Sequence, residues 1–245
     1  MRSLFFPLLF LLVLVSCNTA RRGNTWVSGN IGRAPGLMLK LEEVSPVNSL
    51  TIDSVILGET GNFAFRFDSR ENGLYFLDLD GKYRLVLEIS PGNTIRVTAS
   101  GGSNLRNAVI SGSPGSSDMK QFFDATNRNR RIYDSLQSSL LLHQDEPGFA
   151  ELSRKLDESL KPIWENQRSL ETSYIDNHLN SLTSLLILNQ GIGTSPVLTF
   201  RTDSVYFLKL DSALSKAFPG NKHAVFHHNR IAKEREMEAM KKHTG

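Results

Sequence analysis

The sequence predicts an α+β fold: an N-terminal antiparallel β-sandwich of about eight strands over 25–112, followed by an all-helical segment over 113–245. Three observations predict it. Apolar residues recur at every second position from Thr25 to Gly112, in short runs 8 to 12 residues apart. The composition then shifts at Gly112-Ser-Pro-Gly-Ser-Ser117, which reads as a loop and a domain boundary. Beyond it the apolar period becomes 3.6.

The strands are expected at Trp26–Ile31, Leu37–Leu41, Ile52–Leu57, Phe63–Phe67, Leu74–Leu79, Tyr83–Ile89, Ile95–Thr98 and Val109–Ile110. Phe63, Phe65 and Phe67 occupy alternate places and read as core. Glu59-Thr-Gly-Asn62, Asp80-Gly81 and Pro91-Gly92-Asn93 separate strands. Asp-Gly is a strong hairpin signal because both residues tolerate positive φ. Gly29, Gly32 and Gly36 match neither a dinucleotide nor a P-loop spacing and read as turns.

In the second half a first helix carries Met119, Phe122, Ile132, Leu136 and Leu140. A second places Leu152, Leu156, Leu160, Ile163, Leu170 and Tyr174 on one face, with Pro162 expected to kink it. A third covers roughly Ser181 to Asn189 and stops near Gly191 and Gly193. A fourth begins at Asp203 as N-cap and ends at Phe218-Pro-Gly-Asn221. A fifth, from about Lys222, turns wholly polar after Ile231 and has little to pack.

The N-terminus reads differently. One positive charge, Arg2, precedes the uncharged run Leu4–Val15, the pattern of a secretory signal peptide. Crossing a bilayer takes roughly 20 apolar residues, so this run is short for a membrane span. Leu14-Val15-Ser16-Cys17 resembles the bacterial lipobox, in which the thiol becomes a thioether to diacylglycerol after cleavage before the cysteine. The alternative is an ordinary signal peptide with a chance cysteine. The lipobox reading gives a signal peptide over 1–16, a lipidated tether over 17–24, and Cys17 as the lipid-attachment residue, with palmitate as one acyl group. Stable anchoring takes more than one chain, and three would be effectively permanent. No acidic residue follows Asn18 closely, so the expected location is the outer membrane, facing the periplasm. Cys17 is the sole cysteine. An anchored Cys17 leaves no thiol for a disulfide, a Cys-x-x-Cys pair or a cysteine zinc site.

The charge is nearly balanced, with 28 Lys and Arg against 25 Asp and Glu. Removing Arg2 leaves 27 against 25, or about +2. That is not a nucleic-acid footprint, which needs basic residues gathered on one face. Arg230, Lys233, Arg235, Lys241 and Lys242 alternate with Glu234, Glu236 and Glu238, the pattern of a solvated helix face. Asn127-Arg-Asn-Arg-Arg131 reads the same way, with an anion-binding group as the alternative.

Few residues suggest chemistry. His223 and His227 stand at i and i+4, a spacing that suits a metal on a helix. Ala224 occupies the place where a general base would stand, no third ligand is evident, and His228 adjoins; partly exposed helix histidines are the expected reading. Asp78 and Asp80 before Gly81 could open a calcium loop, but Lys82 stands where a ligand belongs, so a hairpin turn is expected. No Gly-x-Ser-x-Gly elbow is present. No catalytic residue, cofactor or metal is expected.

Several stretches carry a resemblance: Thr51-Ile-Asp-Ser-Val55, Gly61-Asn-Phe-Ala-Phe65, Gly73-Leu-Tyr75, Leu87-Glu-Ile-Ser-Pro-Gly-Asn-Thr-Ile95 and Val109-Ile-Ser-Gly-Ser113. Met119-Lys-Gln-Phe122, Asp211-Ser-Ala-Leu214 and Phe218-Pro-Gly-Asn221 continue it. From about residue 25 to 235 the chain resembles the domain-of-unknown-function family that forms the N-terminal part of many TlpA/ResA-like envelope thiol–disulfide oxidoreductases. In that family a thioredoxin-like domain with Trp-Cys-x-x-Cys usually follows the helical segment. Here the sequence reaches Lys241–Gly245 about where that domain would begin, so the resemblance implies architecture, anchor and envelope location but no redox activity. The expectation is a lipid-anchored, non-enzymatic binding or scaffold module, partnered by the membrane and by an envelope protein, accessory to thiol–disulfide exchange. The alternatives are the N-terminal half of a split oxidoreductase, and a lipoprotein that binds a ligand in a cleft between the halves.

Overall fold

The computed structural model describes residues 23–100 and 105–244. The signal peptide at 1–16, Cys17 and Gly245 lie outside the described residues. Before Gly112 the described chain forms eight strands: β1 (Thr25–Ile31), β2 (Met38–Val44), β3 (Ser49–Ile56), β4 (Asn62–Phe67), β5 (Gly73–Leu79), β6 (Tyr83–Ile89), β7 (Thr94–Ala99) and β8 (Val109–Ser111). They make two four-stranded sheets, β4-β1-β7-β8 and β3-β2-β5-β6. The helices follow, so the fold is α+β as the two periods predict.

The alternating residues meet between the sheets. Val27, Phe65, Ile95 and Val97 of the first sheet face Leu39, Leu41, Leu77 and Leu87 of the second, all at most 1% exposed. Each such side chain contributes about 1.5–3 kcal/mol on burial. Asp80 and Gly81 both take positive φ, at 58° and 69°, closing the β5–β6 hairpin as Asp-Gly predicts.

One pairing departs from an antiparallel sandwich: β1 runs parallel to β7, with Val27 opposite Ile95. Parallel neighbours need a long crossover, and the whole second sheet, inserted between them in sequence, supplies it. Gly29 sits inside β1 and not in a turn. A Cβ there would overlap the Val97 carbonyl oxygen, so glycine permits the close approach of β1 to β7.

Gly112, at φ 87°, ends the sandwich. The loop expected through Ser117 is shorter than that, because α1 (Pro114–Leu142) starts at once. Ser113 is its N-cap, accepting from the Ser116 amide, and Pro114 fills the first helical position. Then come α2 (Phe149–Asn177), α3 (Thr183–Leu188), a two-strand ribbon of β9 (Gly191–Ile192) and β10 (Ser195–Pro196), α4 (Phe200–Ala217) and α5 (Lys222–Thr244). The boundary at Gly112 is a change of structure type within continuous packing. Leu74 of β5 is buried in one cluster with Met119, Tyr174, Leu182 and Leu210, and Val44 and Val86 pack against it. The helices therefore rest on the outer face of the second sheet.

Two helix details differ from the periodic reading, and a third concerns Pro162. α2 runs through Pro162 as one helix; the proline is exposed, so its ring faces solvent and only one backbone bond is given up. Ile132 is 37% exposed, while Tyr133 turns inward and meets Trp164 edge-on at 6.5 Å. α4 begins three residues before Asp203, capped by Thr199, and Asp203 marks a kink with φ −127°. Its carboxylate accepts from the Thr199 amide at 2.9 Å and pairs with Arg168 of α2.

Candidate functional site

His223 and His227 share one face of α5, and both are buried, at 6% and 3% exposure; neither is the partly exposed helix histidine that the pattern suggests. The His227 Nε2–H donates to the Phe207 carbonyl of α4 at 3.2 Å. The His223 ring bonds the Val44 backbone of β2, while its Nε2 lacks a partner. Burial, reinforced by the charge of Lys222, pushes the His223 pKa down to about 4. Burial also lowers that of His227. His228 faces outward to Asp211 at 3.1 Å. The histidines thus join α5 to β2 and to α4. Among the described residues no group of three His, Cys, Asp or Glu is arranged to hold a metal ion.

Asp78 is 2% exposed. One carboxylate oxygen accepts from the Gly81 amide at 2.7 Å and the other from Arg84 Nε at 2.6 Å. It completes the hairpin turn.

Arg230 departs from the solvated face predicted for its neighbours. It is half-buried, donates to Asn189 at 2.7 Å and lies 5.6 Å from the Phe207 ring centroid. Burial lowers its pKa.

A polar node that sequence reasoning missed lies where the halves join. Glu88 of β6 is its centre. Its carboxylate accepts from Ser181 Oγ at 2.6 Å and from the Leu182 amide at 2.7 Å. Its backbone amide donates to Ser116 Oγ at 2.8 Å, and its carbonyl accepts from Ser113 Oγ at 2.6 Å. Gly115 leaves room for the carboxylate, which a Cβ there would overlap. Nearby, His178 Nε2 lies 3.2 Å from Asp118, but its Nδ1 is held by the Tyr174 carbonyl at 2.8 Å. Neither ring nitrogen is left to activate a serine, so the pair does not form a Ser-His-Asp triad.

A second buried polar stripe joins α1 to α2. Asn129 donates to Asn166 and Gln167 at 2.9 and 3.1 Å, and Gln167 donates to Glu171 at 2.9 Å. Glu171 is fully buried and its second oxygen has no partner. Burial raises its pKa to about 8, so it is largely neutral at pH 7.

The candidate site is a cleft of about 430 Å³ between the β5–β6 hairpin, residues 105 and 106, and α1. Lys82, Arg84, Arg106, Lys120 and Arg130 bring five cations to it. Val86, Leu105, Met119 and Phe123 supply apolar wall. Three cations carry a carboxylate each: Lys82 with Asp80, Arg84 with Asp78, and Lys120 with Asp124. The Arg84 guanidinium also lies over Phe76, 5.3 Å from the ring centroid. Arg130 forms no ion pair among the described residues. The basic run of α1 is therefore split: Asn127 and Arg130 line the cleft, Asn129 is buried against α2, and Arg128 and Arg131 are exposed.

No protein-family model matches the chain, and no curated protein matches it. Among the described residues no helix is long and apolar enough to cross a membrane.

Proposed function

We propose that this chain is a lipid-anchored bacterial envelope protein whose folded part binds its partner without transforming it. Cys17 carries the lipid, the location is the outer membrane facing the periplasm, and the role is accessory to thiol–disulfide exchange. The lipobox supports the anchor. The resemblance to the N-terminal part of TlpA/ResA-like oxidoreductases supports the envelope role.

The observation that carries the binding reading is the cleft at the joint of the two halves. Its volume falls within the roughly 300–1,000 Å³ of small-molecule sites, and it combines apolar wall with a few convergent polar groups. Three ionisable groups buried elsewhere are tied into the packing: Glu88 to the α2–α3 connection, Asp203 to Arg168, His227 to α4. Native mass spectrometry of the full chain released from its own membranes tests the reading. The expected result is a non-covalently held small molecule that is lost in Arg130→Glu. Turnover of a substrate by the purified protein, or a bound species indifferent to the cleft variant, contradicts it.

A further inference from the structure

We propose that the outer face of the first sheet, β4-β1-β7-β8, is the surface that lies against an anionic phospholipid membrane, with Trp26 among the headgroups. The proposal rests on reading Cys17 as the anchor and adds the face that meets the lipid.

Topology leaves this face bare. The inner faces of the two sheets pack on each other, and the helices rest on the outer face of the second. On the outer face of the first, Trp26 is 41% exposed, and Arg66 and Arg96 are exposed beside it. Trp26 stands opposite Arg66 of β4; Ser28, the next outward residue of β1, stands opposite Arg96 of β7.

Charge indicates an anionic partner. The four strands of this sheet contain no Asp or Glu. Those of the second sheet contain Glu42, Glu43, Asp53, Asp78 and Glu88. Arg66 and Arg96 form no ion pair among the described residues. Arg66 instead lies 5.6 Å from the centroid of the Trp26 ring and donates to the Gly23 carbonyl at 3.0 Å. Asp68, the acid just beyond β4, accepts from the Asn24 amide at 3.1 Å. An indole, apolar over its ring and polar at its N–H, suits the boundary between lipid and water. A guanidinium matches a lipid phosphate in two-point fashion. Arg21 and Arg22 add two positive charges in the tether itself, and basic clusters beside an anchor are drawn to anionic lipid.

The tether decides which face can reach the bilayer. Gly23 is held against Arg66, so the chain joins the sandwich at this face. Cys17 and Gly23 are six residue steps apart, which spans at most about 22 Å when fully extended. A folded body of this length has a radius of gyration of about 17 Å and is wider than that tether is long. Faces remote from Gly23 are therefore kept away from the bilayer.

The test uses the full lipidated chain carrying Trp164→Phe, which leaves Trp26 the sole tryptophan. It is reconstituted in liposomes of brominated phosphatidylcholine with or without phosphatidylglycerol. Flotation reads the anchor, and quenching of Trp26 by the lipid bromine reads the docking. The expected result is flotation in both lipids. Quenching should be at least about twofold stronger with phosphatidylglycerol and weaken as salt rises from about 50 to 300 mM. Arg66→Glu combined with Arg96→Glu should lose at least about half of the quenching and still float. Lys233→Glu, on α5, should change neither. All three positions are exposed, so these variants should fold. Flotation without quenching, or equal quenching in the two lipids, would overturn the docking face and leave the anchor standing. Equal loss of quenching in the arginine and Lys233 variants would overturn the assignment to this face. Failure to float would overturn the anchor and the docking with it.

Discussion

The Glu88 carboxylate accepts a hydrogen bond from the Leu182 amide at 2.7 Å, between residues 94 positions apart. Glu88 lies on the outer face of the second sheet and Leu182 at the entry to α3. The same side chain holds Ser181, and its backbone holds the first turn of α1 through Ser113 and Ser116. Glu88 is thus the polar clasp between sandwich and helices. Burial raises its pKa, and the bonds from Ser181 and Leu182 oppose that rise. Glu88→Ala should cost about 2–4 kcal/mol in urea unfolding, since it strands a buried amide and hydroxyl. Glu88→Gln, which keeps one carbonyl acceptor, should cost about half as much. A loss below about 0.5 kcal/mol in the alanine variant would remove Glu88 from this role.

Glu171 makes the opposite prediction. Its carboxyl is buried between α1 and α2, and burial lifts its pKa from 4.5 to about 8; the bond from Gln167 and the charge of Arg168 oppose the rise. Between those values the folded state holds a proton that the unfolded chain has released. Its contribution to stability is therefore full below pH 4.5, falls as pH rises, and levels off above about pH 8. Glu171→Gln should remove this slope and raise stability at pH 8 by on the order of 3 kcal/mol. Thermal melts of both proteins from pH 5 to pH 9 check it. Parallel pH profiles would contradict it.

Pro162 lies inside α2 with no amide to offer the Glu158 carbonyl. Its side is exposed, so alanine adds no void. Pro162→Ala should stabilise the protein by about 1–3 kcal/mol, the helix-interior penalty of proline less the entropy it removes from the unfolded chain. A lower melting temperature in the variant would show that proline is required for the helix path.

The elements were readable in the sequence because both periods are strong. Phe63, Phe65, Leu85 and Leu87 alternate, and Leu156, Leu160 and Ile163 step around a helix, each matching its burial. The parallel pairing of β1 with β7 was not readable, because alternation gives facing and not the neighbour. The clue was Gly29, whose missing side chain admits the Val97 carbonyl. Buried polar positions misled in one direction. Asn129 sits between arginines and Arg230 shortly before a run of glutamates, so each was counted with a solvated face, yet tertiary partners bury Asn129 and half-bury Arg230. The cleft was out of reach for another reason: Arg84 of β6, Arg106 of the connection between β7 and β8, and Arg130 of α1 are brought together only by the docking of α1 on β6.

The claim that the chain is held at a membrane through Cys17 is tested most directly by labelled palmitate incorporation into the full chain and into Cys17→Ala, followed by membrane fractionation. The account predicts label and membrane attachment in the first. In the variant it predicts an unlabelled precursor, uncut by lipoprotein peptidase, with the fold of residues 23–100 and 105–244 unchanged by circular dichroism. Label retained in Cys17→Ala, or no label in either protein, would contradict it.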